Sequence, residues 1–177
     1  MFSSTPRRRR RYSDALFAAG VLDLATVRRK GATKYGFGVN WEQPFAEGGD
    51  TGLFARLGWN DGKTESANFA ECDRFASVGV QVSGVRWRRP VDRIGVGLAQ
   101  SDVSAKHRDY LAAGGSGLAL GDGGLRYGSE RIMETYYSYQ SGRGTAVALD
   151  YQWVGSPGLN SDRGPASIIA LRLHTEF

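Results

Sequence analysis

The stretch Ser167-Ile168-Ile169-Ala170-Leu171-Arg172-Leu173-His174-Thr175-Glu176-Phe177 decides the fold class of this chain. From Ile169 onward the odd positions are mostly apolar, and the even positions carry Arg172, His174 and Glu176. This alternation indicates a β-strand with one apolar face and one wetted face. A last strand that ends on an aromatic residue is typical of a transmembrane β-barrel, which has lipid outside and a polar lumen inside. The segment therefore favours a bacterial outer-membrane protein.

The composition fits many strands better than helices. The chain has 177 residues, with 25 glycines, 5 prolines and 11% aromatic residues, which suits twisted strands joined by turns. No run of about 18 apolar residues occurs, which excludes a transmembrane helix. Barrel strands remain possible, because every second residue of such a strand is polar.

The net charge of +5 comes from one arginine run, Arg7 to Arg11. No basic surface with interleaved aromatics follows this run, so we expect no nucleic-acid partner. The short apolar stretch at 15–22 is flanked by acidic residues and makes a poor secretory signal. The sequence predicts an atypical, disordered N-terminal segment at 1–31 and a barrel segment at 32–177, and the abrupt start suggests a chain truncated at its N-terminus.

The residues of enzyme and metal sites are scattered. Cys72 is the single cysteine, and the two histidines, His107 and His174, lie far apart in sequence and in different contexts. The glycine-rich stretch 114–124 lacks the Lys-Ser/Thr ending of a phosphate-binding loop, and no nucleophile elbow occurs. We therefore predict no enzyme activity, no catalytic residues, no cofactor and no metal.

Alternation recurs in seven segments, each close to the length that a tilted strand needs to cross a bilayer. They are 33–43, 51–60, 71–83, 92–100, 130–140, 145–154 and the terminal strand. The connections between them alternate between short and long, which predicts an antiparallel up-and-down barrel with periplasmic turns and extracellular loops. Aromatic residues then form two girdles. These are Tyr35, Trp59, Tyr151 and Trp153 near the outer edge, and Trp41, Tyr137, Tyr139 and Phe177 near the inner edge.

Specific stretches in one order carry a family resemblance. They are Tyr35-Gly36-Phe37-Gly38-Val39-Asn40, Glu42-Gln43-Pro44, Gly52-Leu53-Phe54-Ala55-Arg56, Gly58-Trp59-Asn60-Asp61-Gly62, His107-Arg108-Asp109-Tyr110-Leu111-Ala112-Ala113-Gly114-Gly115, Glu134-Thr135-Tyr136-Tyr137-Ser138-Tyr139, Leu149-Asp150-Tyr151-Gln152, Asp162-Arg163-Gly164-Pro165 and Leu171-Arg172-Leu173-His174-Thr175-Glu176-Phe177. From about Val27 onward the chain resembles the C-terminal half of the OprB family of carbohydrate-selective porins.

The resemblance implies a Gram-negative outer-membrane barrel of about 16 strands that passes carbohydrates by passive diffusion. About seven C-terminal strands of such a barrel are expected in this chain. The partners it implies are mono- or oligosaccharides in transit, outer-membrane lipid, and missing N-terminal strands or other porin chains. Two alternatives stay open: a soluble β-sandwich binding module, and a non-functional truncated porin remnant.

Polar residues on the inward face are the candidate site, because a porin selects by pore width and lining. Ionised groups and amides can bind sugar hydroxyls, and aromatic faces fit the apolar side of a sugar ring. The candidates are Arg56, Asn60, Glu134, Tyr136, Asp150, Gln152 and Arg172. They either line a constriction or are wall residues paired with one another. Inward glycines such as Gly95 and Gly97 either leave room for a folded-in loop or mark strand curvature.

Overall fold

The computed structural model describes residues 2–3, 11–17, 33–65, 71–117, 119–141 and 144–176. Phe177 and Arg7 to Arg10, which featured in the sequence predictions, lie outside the described residues. The elements are β1 (Phe2–Ser3), α1 (Tyr12–Phe17), β2 (Tyr35–Ala46), β3 (Thr51–Asn60), β4 (Arg74–Ser83), β5 (Arg93–Asp102), α2 (Ala105–Ala112), β6 (Glu130–Gln140), β7 (Thr145–Gly155) and β8 (Ala166–Thr175).

The strands form a single antiparallel sheet whose spatial order is the chain order, β1 to β8. The seven predicted strands are confirmed as β2 to β8, each 10 to 12 residues long. Among the described residues β1 and β8 are the two edges, so the sheet is open. An open up-and-down sheet is the arrangement expected of part of a barrel wall.

Strand register keeps the apolar side chains on one face of the whole sheet. One row crosses five strands through directly paired residues, and its members are Ala55, Val78, Leu98, Met133 and Trp153. On β8 the residues Ile169 and Leu171 are 76% and 74% exposed. Soluble monomers rarely expose an apolar surface that extends across so many strands, whereas the lipid-facing wall of a transmembrane barrel does.

The connections alternate as the sequence predicts. The short ones are 47–50, 84–92 and 141–144, and the long ones are 61–73, 103–129 and 156–165. These three short connections all join strands at the same end of the sheet, here called the short-turn end. The three long connections all lie at the opposite ends of the strands, here called the long-loop end. Helix α2 lies within the 103–129 connection. No helix in the described part of the chain is long and apolar enough to cross a membrane.

A small buried core lies among the long loops, outside the sheet. Tyr12 and Ala15 of α1 pack with Tyr110 and Leu111 of α2 and with Leu125. The sequence predicted disorder for 1–31, and the structure differs at residues 12–17, because an amphipathic turn there buries an aromatic ring against α2. The division of the chain at residue 31 stays a prediction.

A buried carboxylate fastens the 84–92 turn to β6 at the short-turn end. Asp92 accepts two hydrogen bonds from Arg89, at 2.6 and 3.1 Å, and further ones from the Tyr137 hydroxyl and the Gln140 backbone N–H. The Arg89 hydrogen bond is the main cause that lowers the pKa of Asp92 to about 2, against the opposing effect of burial. The Trp87 indole also donates to the Tyr137 hydroxyl at 3.1 Å.

Candidate functional site

The face opposite the apolar one carries the predicted site residues. Because successive side chains of a strand point to opposite faces, the even positions of β6, β7 and β8 share this polar face. Register places Glu134 opposite Gln152, and Tyr136 opposite Asp150. Arg172 on β8 lies beside both pairs.

Arg172 is the centre of a cluster on three strands. Its guanidinium donates a short hydrogen bond to the Asp150 carboxylate and lies 3.7 Å from a Glu134 oxygen. Gln152 donates to the other Glu134 oxygen at 3.2 Å. The Asp150 side chain is almost fully buried, while those of Arg172 and Glu134 are 57% and 36% exposed. The cluster therefore offers a charged surface that is held in place from below.

Two aromatic rings lie flat on this face over glycines. A Cβ atom at Gly95 would stand 2.3 Å from the Tyr136 ring, and one at Gly79 would stand 2.4 Å from the Phe54 ring. The Tyr136 hydroxyl donates to Gln81 at 2.8 Å, which holds the ring down. Of the two explanations considered for Gly95, neither a folded-in loop nor curvature is needed, since the glycine makes room for a ring.

Two clefts on the polar face meet at Glu134 and Tyr136. The first, of about 530 Å³, is also lined by Glu42, Phe54 and Arg56. The second, of about 620 Å³, reaches Arg172 and His174. Together they form one polar track over the sheet with charged groups along its length and two aromatic rings in its floor.

The structure unites most of the predicted residues but separates Asn60 from them. Arg56 lies across the first cleft, 3.8 Å from Glu42, with its guanidinium 5.7 Å from the centre of the Phe54 ring. The Asn60 amide instead binds backbone atoms of the 61–73 connection, donating to the Cys72 carbonyl and accepting from the Gly62 N–H. Asn60 therefore fixes a loop at the long-loop end.

Sequence reasoning missed three contributors to the track: Phe54, Glu42 and Gln81. Strand alternation places all three on the polar face, but they were not selected there as lining residues. The contact of Gln81 with Tyr136 joins residues 55 positions apart, so no local signal in the sequence could have shown it.

A second polar cluster lies buried beneath α1 and α2. Asp73 accepts from the Ser104 N–H at 2.8 Å, lies 3.2 Å from His107 Nδ1 and forms an ion pair with Lys34. Burial raises the pKa of Asp73, but the His107 and Ser104 hydrogen bonds outweigh it and lower the pKa below its ordinary value. The Tyr12 ring stacks on His107 with centroids 4.0 Å apart. The cluster thus holds the long loops together.

One family of known proteins matches nearly the whole sequence. The sequence model of the family described as "Carbohydrate-selective porin, OprB family" matches residues 2–177. The chain belongs to this family. The match begins at residue 2, earlier than the resemblance traced from about Val27. No curated protein matches the chain significantly.

The OprB fold is also found in a solved structure. The chain is similar to OprB of Pseudomonas putida at high pH, with a TM-score of 0.70 and 23% sequence identity. The alignment covers 85% of this chain and 37% of the P. putida chain. At this identity the likeness shows the fold alone: the seven long strands correspond to part of an OprB barrel wall.

Proposed function

We propose that this OprB-family chain forms part of the wall of an outer-membrane pore through which carbohydrates diffuse passively. The polar track between Arg56 and Arg172 carries this proposal, because it lies on the face opposite a continuous lipid-compatible surface. In this proposal the long-loop end faces the cell exterior and the short-turn end faces the periplasm, as in up-and-down barrels of the outer membrane.

The chemistry of the track suits sugars. Carboxylates accept hydrogen bonds from hydroxyls, and guanidinium groups donate to them. The exposed parts of Arg172 and Glu134 supply both functions within 3.7 Å of each other. The rings of Phe54 and Tyr136 offer flat apolar surface to the C–H face of a pyranose. Such contacts are weak and exchangeable with water, which suits passage better than retention.

Sugar flux into liposomes tests the proposal. Protein extracted from the outer membrane is reconstituted into liposomes, and osmotic swelling measures the entry of glucose, maltose and a large oligosaccharide. We expect entry of the small sugars at a rate proportional to their concentration gradient and unaffected by a proton gradient. Swelling no faster than in protein-free liposomes, or entry that requires a proton gradient, contradicts the proposal.

A further inference from the structure

The apolar face of the sheet contains a groove near the long-loop end. Its volume is about 780 Å³, and it crosses β3 to β7. The groove forms where the side chains are small, at Ala55 and Ala76. Larger side chains such as Leu57, Met133 and Trp153 border it. A wall of uniformly large aliphatic residues would present no such channel. The volume and the apolar lining of the groove suit a hydrocarbon chain.

The groove ends at positive charges. Arg131 lines it on the side of the long loops, directly paired with Gln100 on β5. Arg74 lies on the same face, two residues before Ala76 on β4. Two strand spacings separate β4 from β6, and the register displaces the two arginines by two residues along the strands, so their Cα atoms lie roughly 12 Å apart. Among the described residues Arg131 has no ion-pair partner.

The net charge at the rim of the groove is positive even when the carboxylate of Asp102 is included. Asp102 is paired with Arg74 in the sheet register and accepts from the Gln100 amide at 2.8 Å and from the Tyr127 hydroxyl. The guanidinium of Arg108 lies 4.6 Å from the centre of that Tyr127 ring. Arg74 and Arg108 therefore lie near this carboxylate, and Arg131 is paired with the Gln100 that donates to it.

We propose that this groove binds lipid A, the phosphorylated and acylated glycolipid of the outer leaflet. An acyl chain lies along Ala76 and Leu57, and a phosphate is bound by Arg131 with Arg74 beside it. Guanidinium binds phosphate through paired charge-assisted hydrogen bonds. The choice of the outer leaflet rests on the orientation given in the proposed function.

The test measures lipid binding by native mass spectrometry. The protein is extracted in a non-ionic detergent and titrated with bisphosphorylated lipid A. We expect Arg131→Glu to lower the bound fraction at least fivefold, and Arg86→Glu, the same change of charge at the short-turn end, to leave it unaltered. Ala76→Phe fills the groove without changing charge and should lower binding similarly, whereas Val147→Phe, on the apolar face outside the groove, should not.

Other outcomes overturn the site. Equal binding by wild type, Arg131→Glu and Ala76→Phe refutes it, and so does equal binding of dephosphorylated lipid A. A lipid-free dimer that persists in both variants would show a second copy of the chain on this face instead. Pore conductance, measured on the same samples, separates this proposal from the previous one: Arg131→Glu should lose lipid and keep conductance. A wild type that binds lipid A without conducting contradicts only the pore.

Discussion

Replacing Arg172 by glutamine should make the pore more selective for cations. In the cluster Arg172 supplies one positive charge beside the carboxylates of Asp150 and Glu134, so the net charge is −1 and becomes −2 in the variant. A unit charge about 6 Å from a passing ion contributes about 0.7 kcal/mol in water. Screening in 0.1 M salt reduces this contribution by roughly half. Cations and anions respond with opposite signs, so we expect about a threefold rise in the cation-to-anion permeability ratio.

The assay is the zero-current potential across a planar bilayer under a tenfold KCl gradient. Arg172→Lys retains the charge and should resemble the wild type, and Arg86→Gln removes an exposed arginine of the 84–92 turn. The double variant Arg172→Gln with Asp150→Asn restores a net charge of −1 and also removes the buried carboxylate left without its partner. Its selectivity should return towards that of the wild type. An unchanged potential in Arg172→Gln, or an equal change in Arg86→Gln, refutes the assignment of Arg172 to the pore lining.

Three further changes test other parts of the wall. Asp92→Asn should lower the free energy of unfolding by roughly 2–3 kcal/mol at neutral pH, because the charge-assisted bonds with Arg89 are lost. The pKa of Asp92 is lowered from 3.8 to about 2 in the folded state. Urea titrations should therefore show the stability difference between wild type and variant above pH 4, and its loss as the pH falls to 2. Gly95→Val should displace the Tyr136 ring and alter single-channel conductance, whereas equal conductance would show that the ring does not border the pore. In the proposed pore the exposed Leu171 faces the hydrocarbon, so Leu171→Arg should destabilise the barrel by roughly 2–4 kcal/mol in lipid vesicles. A cost below about 0.5 kcal/mol would show a water-exposed face.

The local pattern of the sequence was enough for the strands. Period-2 alternation and turn residues predicted all seven long strands, and the alternating loop lengths predicted their antiparallel order. The ends differ by at most a few residues: β4 begins at Arg74 rather than at 71, and β2 extends to Ala46 rather than 43. Here helical and strand periods differ too much to be confused.

The candidate site was predicted only in part. Alternation correctly placed Glu134, Asp150, Gln152 and Arg172 on one face, and the structure brings them together. Alternation could not distinguish them from Asn60, which lies on the same face but binds loop backbone. The role of a polar side chain depends on what surrounds it at the end of its strand, and neighbours there come from distant parts of the chain.

By itself, the sequence determined which residues form strands, which face of each is apolar, and hence that the sheet has one lipid-compatible side. These properties follow from the geometry of a single strand and from the free energy of moving its apolar side chains from water into lipid. Both depend only on the local sequence. Only the tertiary structure decided that Tyr136 lies on Gly95, that Asp92 fastens a turn to β6, and that α1 packs on α2. Those contacts depend on register, side-chain direction and loop closure between residues far apart, and strand alternation carries no information about them.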